Sequence, residues 1–93
     1  MNKTFFDEFE ARRREFSERA GYSTNARVEL VLNSGGTYVV EQVVEASDGW
    51  VQLDVRNAAE EAELVGLSLP YYQINQVLFL KPKQASRQAG FAR

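Results

Sequence analysis

A β-strand followed by a tight turn is predicted by the stretch Val28-Glu29-Leu30-Val31-Leu32-Asn33-Ser34-Gly35-Gly36. Val28, Leu30 and Leu32 alternate with other residues, and a period of two residues places all three on one face of a strand. The consecutive glycines Gly35 and Gly36 supply the positive φ angles that a hairpin turn needs. The stretch therefore predicts that a second, antiparallel strand begins directly after this turn.

The chain after this turn is predicted to form four more strands. Alternating or apolar runs place them at 38–46, 50–55, 64–69 and 74–80. The hairpin signal Ser47-Asp48-Gly49 joins the second strand to the third. A short link or 3₁₀ turn is predicted at 70–73, and Pro82 ends the last strand because proline cannot donate to the ladder.

An amphipathic helix is predicted to precede the strands, over residues 4–20. The side chains that recur on one helical face are Phe5, Phe9, Phe16 and Ala20. Thr4 is the expected N-cap and Gly21 the expected C-cap. Arg12, Arg13 and Arg14 are interpreted as solvated helix charges that are balanced by acids four residues away.

Amino-acid composition excludes several classes of function. The chain of 93 residues suits one domain, and with no cysteine and no histidine it lacks disulfides and the commonest zinc ligands, so neither a metal nor a cofactor is expected. We recognise no signal-like or membrane-spanning segment, which predicts a cytoplasmic protein. No phosphate loop, nucleophile with a basic partner or small-molecule site is recognisable, so a non-enzymatic role is expected.

Charge is unevenly distributed along the chain. The formal net charge is −2, so any nucleic-acid contact must come from a local patch rather than from the field of the whole molecule. The only charged residues after Glu63 are Lys81, Lys83, Arg87 and Arg93. The polar segment 84–93 is therefore predicted to be a flexible basic tail, which either contacts an anionic partner or only solvates the chain.

Three stretches resemble the Sm/LSm family, and in particular its bacterial Hfq-like members. These are 28–38 (strand and glycine turn), 44–53 (strand, turn and strand) and 69–77 (the short turn into the last strand). The resemblance covers about residues 4–82. It implies a single Sm-like domain over 1–83, with the helix at 4–20 and a five-stranded, strongly bent antiparallel barrel over 26–82.

The resemblance also implies that the fourth strand pairs with the fifth strand of a neighbouring copy and closes a ring of roughly five to eight subunits. The two strands carry no charge to deter such pairing, which makes a homo-oligomer plausible on the residues alone. The predicted interface residues are Leu64, Val65, Leu67, Val77, Leu78 and Phe79.

The family further implies a site for single-stranded RNA. Trp50 stands where an aromatic side chain stacks on a base, whereas Tyr71 and Tyr72 stand where Hfq-like proteins carry a basic pair. With Lys81 and Lys83 these are the candidate RNA-binding residues. Two functions stay open: a ring that binds RNA or another polyanion, and a protein-assembly scaffold that binds no nucleic acid, in which these aromatics serve the core or an interface.

Overall fold

The computed structural model describes residues 1–60 and 63–82, and Lys83 with the predicted tail 84–93 lies outside them. The helices are α1 (Lys3–Asp7) and α2 (Phe9–Ala20). The strands are β1 (Arg27–Leu32), β2 (Thr37–Ala46), β3 (Trp50–Asn57), β4 (Val65–Pro70) and β5 (Ile74–Leu80). A 3₁₀ turn, Tyr71–Gln73, joins β4 to β5. None of the helices in the described ranges is long and apolar enough to span a bilayer.

The N-terminal helical region differs in detail from the prediction. It begins earlier, because the Asn2 side chain rather than Thr4 caps it and accepts a hydrogen bond from the Phe5 amide at 3.0 Å. It is interrupted at Glu8, which separates α1 from α2. Gly21 ends α2 with a left-handed φ of 80°, as predicted for a C-cap glycine.

The five strands form one antiparallel sheet in the order β4-β3-β2-β1-β5. The prediction of a mainly β fold with an N-terminal helix and five antiparallel strands is confirmed. The sheet is not closed into a barrel, because β4 and β5 are its two edges and do not pair with each other within the chain. Three strands lie between them.

The open sheet is nevertheless bent. The three residues that join β4 to β5 span little more than about 10 Å, although the two strands lie at opposite edges. The end of one edge must therefore lie close to the start of the other. Two irregularities in the pairing of β2 with β3, between Val40 and Gln42 and between Val43 and Glu45, are the kind of bulge that bends a strand.

The core lies between the helices and one face of the sheet. Its buried members are Phe6, Phe9, Val28, Leu30, Val40, Val51, Leu53, Val55, Leu69, Tyr71 and Ile74. Phe6 was not among the predicted helix face, yet it and Phe9 are the two fully covered helix aromatics, whereas Phe5 and Phe16 are half-buried. The ring of Phe79 on β5 lies 5.8–6.5 Å from those of Phe5, Phe9 and Phe16.

Arg13 holds α2 against the start of β1 and is not the solvated charge that the sequence predicted. Its Nε donates to the Ala26 carbonyl at 2.8 Å, and its side chain is largely covered. Arg12, in contrast, forms the predicted exposed ion pair with Glu8 at 2.7 Å. The run of three arginines is thus partly structural.

Candidate functional site

The 3₁₀ turn is hydrogen-bonded to both hairpin turns, which flank the two ends of β2. The Tyr71 amide donates to the Gly49 carbonyl at 3.3 Å, which ties the 3₁₀ turn to the β2–β3 turn. The Asn33 side chain donates to the Tyr72 carbonyl at 2.7 Å, and the Asn33 amide donates to the Gln73 carbonyl at 2.8 Å. Asn33 belongs to the β1–β2 turn, so all three connections hold one another in place.

Trp50 and Tyr72 lie exposed at this junction, and we call the pair the aromatic surface. Trp50 is the first residue of β3 and lies opposite Pro70, the last residue of β4. It is 40% exposed, and Tyr72, two residues beyond Pro70, is 77% exposed. Exposed aromatic faces can stack on a planar ligand such as a nucleobase.

Tyr71 is placed differently from its neighbour. It is only 7% exposed, and its ring stacks on that of Phe6 with centroids 5.7 Å apart. Its hydroxyl donates to the Ser47 carbonyl at 2.6 Å. Little of the Tyr71 side chain is therefore open to a base, and the observed contacts make Tyr71 a core residue that anchors the β2–β3 turn.

Burial also sets the protonation of Tyr71. It raises the pKa of the Tyr71 hydroxyl above the ordinary value of 10.0, and the Asp7 carboxylate adds to the increase. The hydroxyl is therefore protonated at neutral pH and is able to donate its hydrogen bond.

The charges beside the junction are mixed. Lys3 and Asp7 form an ion pair at 2.7 Å. The hydrogen bond with Asp7 raises the pKa of Lys3, and the carboxylate of Asp48 acts in the same direction. Because two carboxylates act on one ammonium group, this part of the surface offers little net attraction for phosphate.

Lys81 lies away from the aromatic surface. It follows the last residue of β5, whereas Tyr72 precedes the first, so roughly 20 Å of extended strand separates them. The structure thus places Trp50 and Tyr72 at one junction but does not bring Lys81 to it, and Lys83 is outside the described residues.

The edges of the sheet form a second candidate site. Neither β4 nor β5 contains a charged residue. Leu64 and Val65 are exposed beside or on β4, Val65 to 45%, and Leu67 is half-buried. On the other edge Val77, Leu78 and Phe79 are half-buried, and Leu80, which the sequence-based set omitted, is 36% exposed.

Cross-strand partners show which face each edge residue occupies. Val65 and Leu67 lie opposite the buried Val55 and Leu53, so both point to the core face. On β5, Val77 and Phe79 lie opposite the buried Leu30 and Val28 and share that face. Leu78 and Leu80 lie opposite Glu29 and Arg27 and therefore belong to the outer face.

Other site types find less support in the described ranges. Residues 1–60 and 63–82 contain no group of three or more His, Cys, Asp or Glu side chains that could hold a metal ion. The aromatic surface and the two sheet edges are thus the features from which function can be argued. The chain matches no protein-family model, and no curated protein or solved structure is significantly similar to it.

Proposed function

We propose that this chain is a small, non-enzymatic, self-assembling module whose copies join β4 of one to β5 of the next and close into an Sm-like ring. The observation that carries the proposal is the pair of open, charge-free edges, which expose Val65 on one side and Leu80 on the other. An exposed edge of this kind is a template for pairing with another chain, and soluble proteins usually protect it with charges or cover.

The arrangement of elements supports the Sm-like form of the proposal. A helix precedes five strands, β5 returns to pair with β1, and three residues join β4 to β5. This is the element order that the sequence resemblance implies. In the proposed ring the bent sheet takes the shape of an Sm-like barrel.

The two edges are different surfaces, which decides the kind of assembly. Pairing of β4 with β5 of the next copy is a head-to-tail contact, and such contacts either close into rings or extend into filaments. A bent sheet turns the direction of growth at every copy. The sequence resemblance favours closure over a filament, and it implies a ring of at least five subunits.

Light scattering on the purified chain tests the proposal directly. We expect a particle of at least five subunits that persists at micromolar concentration. A monomer under these conditions would contradict the proposed function, and a dimer would show that one edge pairs with its own copy rather than with the other edge.

A second candidate function is binding of single-stranded RNA or another polyanion at the aromatic surface. It is favoured by the exposure of Trp50 and Tyr72 at one bonded junction, since a base stacked on an aromatic ring contributes about 1–3 kcal/mol. The mixed charge around Lys3 and the distance of Lys81 reduce the phosphate contribution that dominates nucleic-acid affinity.

Fluorescence anisotropy with oligo-U and oligo-A at two salt concentrations separates the two candidates. RNA binding requires an affinity that falls steeply as salt rises. Assembly without nucleic acid predicts an intact ring and no salt-sensitive binding. The cytoplasmic location stays a prediction from the sequence.

A further inference from the structure

We propose that the aromatic surface, together with the neighbouring Pro70, binds a proline-rich segment of a partner protein in the polyproline II conformation, with a basic residue of that segment beside Asp48. The inference goes beyond self-assembly and does not depend on it. It is argued from the exposed rings, the hydrogen-bond donors and the carboxylates at one bonded junction.

Three ring-bearing side chains form the apolar part of this site. Trp50 and Pro70 lie opposite each other on β3 and β4, and Trp50 is on the outer face because the adjacent Val51 is fully buried. Tyr72 follows Pro70 by two residues, so the Cα atoms of Trp50 and Tyr72 are at most about 13 Å apart. Residues three positions apart in polyproline II lie on one side and are about 9 Å apart. A ligand in this conformation can therefore place one proline on each exposed ring.

The hydrogen-bonding groups of the two rings also suit such a ligand. Neither the indole N–H of Trp50 nor the hydroxyl of Tyr72 forms a hydrogen bond with another described residue. Both groups can donate. A proline-rich segment in the polyproline II conformation has no internal hydrogen bonds, so its carbonyl groups are open acceptors, and its prolines have no amide hydrogens that need a partner. Donors on the protein thus meet acceptors on the ligand.

Two other modes of peptide binding fit this junction less well. Addition of a β-strand requires open backbone groups, whereas the Trp50 carbonyl accepts from the Ser47 amide at 2.8 Å and the Gly49 carbonyl accepts from the Tyr71 amide. Pro70, opposite Trp50, has no amide hydrogen to offer. An amphipathic helix requires a groove that takes a row of side chains along several turns. Contact with exposed rings requires neither feature.

The charges near the aromatic surface favour a basic ligand over a phosphate backbone. Asp48 is exposed in the β2–β3 turn, two residues before Trp50. Glu45 is exposed on β2 and lies on the same face of the sheet as Trp50. The Lys3 ammonium group is already paired with Asp7 at 2.7 Å. Because carboxylates outnumber this ammonium group, an arginine or lysine of the ligand is attracted and a phosphate is not.

The junction is also fixed before any ligand arrives. The Asn33 side chain holds the Tyr72 carbonyl at 2.7 Å, and the Tyr71 hydroxyl holds the Ser47 carbonyl at 2.6 Å. A surface that is already ordered loses less conformational entropy on binding. The same holds for a proline-rich ligand, whose conformation is restricted before it binds.

Fluorescence of the full chain tests the proposal, because Trp50 is its only tryptophan and reports on its own site. The probe is a synthetic peptide of one arginine followed by about nine prolines, which make three turns of polyproline II. We expect a saturable change in Trp50 emission and the same affinity from the anisotropy of labelled peptide. A comparison peptide, with the prolines replaced by glycine and serine, is flexible and should bind at least about tenfold more weakly.

Tyr72→Ala is the principal variant, since this side chain is largely exposed and its removal leaves the core intact. We expect at least about a tenfold loss of affinity, as for an aromatic anchor in a protein contact. Trp50→Ala should have the same effect on anisotropy. Leu64→Ala is the matched control, because Leu64 is exposed and apolar but precedes the opposite end of β4 from Pro70, and it should bind like the wild type.

Asp48→Asn tests the basic contact. It should weaken binding of the arginine-containing peptide by up to about fivefold, as expected for an exposed ion pair, and leave the affinity of a peptide of prolines alone unchanged. Equal effects on both peptides would overturn the assignment of Asp48.

The remaining outcomes decide whether the site exists. Absence of binding at millimolar peptide, equal affinity for the flexible peptide, or binding that Tyr72→Ala leaves intact would each overturn the proposal. Binding of oligo-U in place of the proline peptide, with the same loss in Tyr72→Ala, would assign the surface to RNA instead. A monomeric chain that binds the proline peptide would refute self-assembly and support this inference.

Discussion

The hydroxyl of Ser17 accepts a 2.7 Å hydrogen bond from the backbone amide of Ala26, nine residues away. The same hydroxyl donates to the Arg13 carbonyl at 2.7 Å, and Arg13 in turn bonds the Ala26 carbonyl. Both backbone groups of the buried Ala26 are thereby paired with α2. These bonds fix the helix at the point where the chain enters β1.

Removal of this hydroxyl should destabilise the fold. Ser17→Ala leaves the buried Ala26 amide without its partner, and we expect a loss of about 1–3 kcal/mol in the free energy of unfolding, measured by urea denaturation. Ser23→Ala, at an exposed position in the same connection, is the matched control and should leave the midpoint unchanged. Equal midpoints for both variants would contradict the role assigned to Ser17.

Phe9 should contribute more than Phe16 to the stability that the packing of α2 gives to the fold. The Phe9 side chain is fully buried in the core, whereas the Phe16 side chain is half-buried. Phe9→Ala should cost about 3–5 kcal/mol and lower the melting temperature by more than about 10 °C, because it leaves a cavity in the core. Phe16→Ala should cost less, and an unchanged melting curve for Phe9→Ala would mean that the helices do not contribute to the core in solution.

Alkaline pH should weaken the fold through Tyr71. The folded pKa of its hydroxyl is raised above the ordinary value of 10.0, so the stabilisation is complete below pH 10 and is lost as pH rises through the folded pKa. Tyr71→Phe removes this titration and also the bond to Ser47, which should cost about 0.5–1.5 kcal/mol at neutral pH. Unfolding measured from pH 8 to pH 11 should therefore show a shallower decline in the variant, whereas the control Tyr72→Phe should follow the wild type.

A charge on the β4 edge should prevent assembly without unfolding the chain. Val65 is exposed in the single chain, so Val65→Lys should leave circular dichroism unchanged and convert the oligomer to monomers. Val44→Lys is the matched control, since Val44 is equally exposed but lies on β2 within the sheet. An intact oligomer in Val65→Lys would show that this edge is not the contact.

Any RNA binding should depend on the aromatic surface. Trp50→Ala should weaken affinity by about 1–3 kcal/mol, and Tyr72→Lys should strengthen it and steepen its salt dependence by adding a positive charge. Anisotropy titrations of both variants beside the wild type provide the measurement. The RNA candidate is rejected if the wild type shows no salt-sensitive binding at tens of micromolar protein.

Local signals in the sequence predicted most of the elements correctly. Gly21 and Gly35 adopt positive φ angles at the predicted helix end and hairpin turn, whereas Gly36, for which the sequence predicted the same, does not. Alternation located the strands because one face of each strand meets the core. These features depend on a few neighbouring residues and can be inferred without knowledge of the rest of the chain.

Features that depend on distant packing could not be inferred in this way. Tyr71 and Tyr72 are adjacent and chemically identical, yet the 3₁₀ turn buries the first against Phe6 and leaves the second in water. Phe6 itself escaped prediction because helical spacing selected Phe5, Phe9 and Phe16 as one face. Whether the sheet closes depends on the path of the whole chain, which periodicity does not encode.

The brevity of the link between β4 and β5 has a geometric consequence for the proposed ring. Tyr71–Gln73 limits how far the end of β4 can lie from the start of β5, and hydrogen bonds from Asn33 and to Gly49 hold this link in place. The number of copies in a closed ring is the full circle divided by the turn made at each copy. The number of subunits in the proposed ring would therefore depend on the geometry of this three-residue link, which Asn33 helps to hold in place.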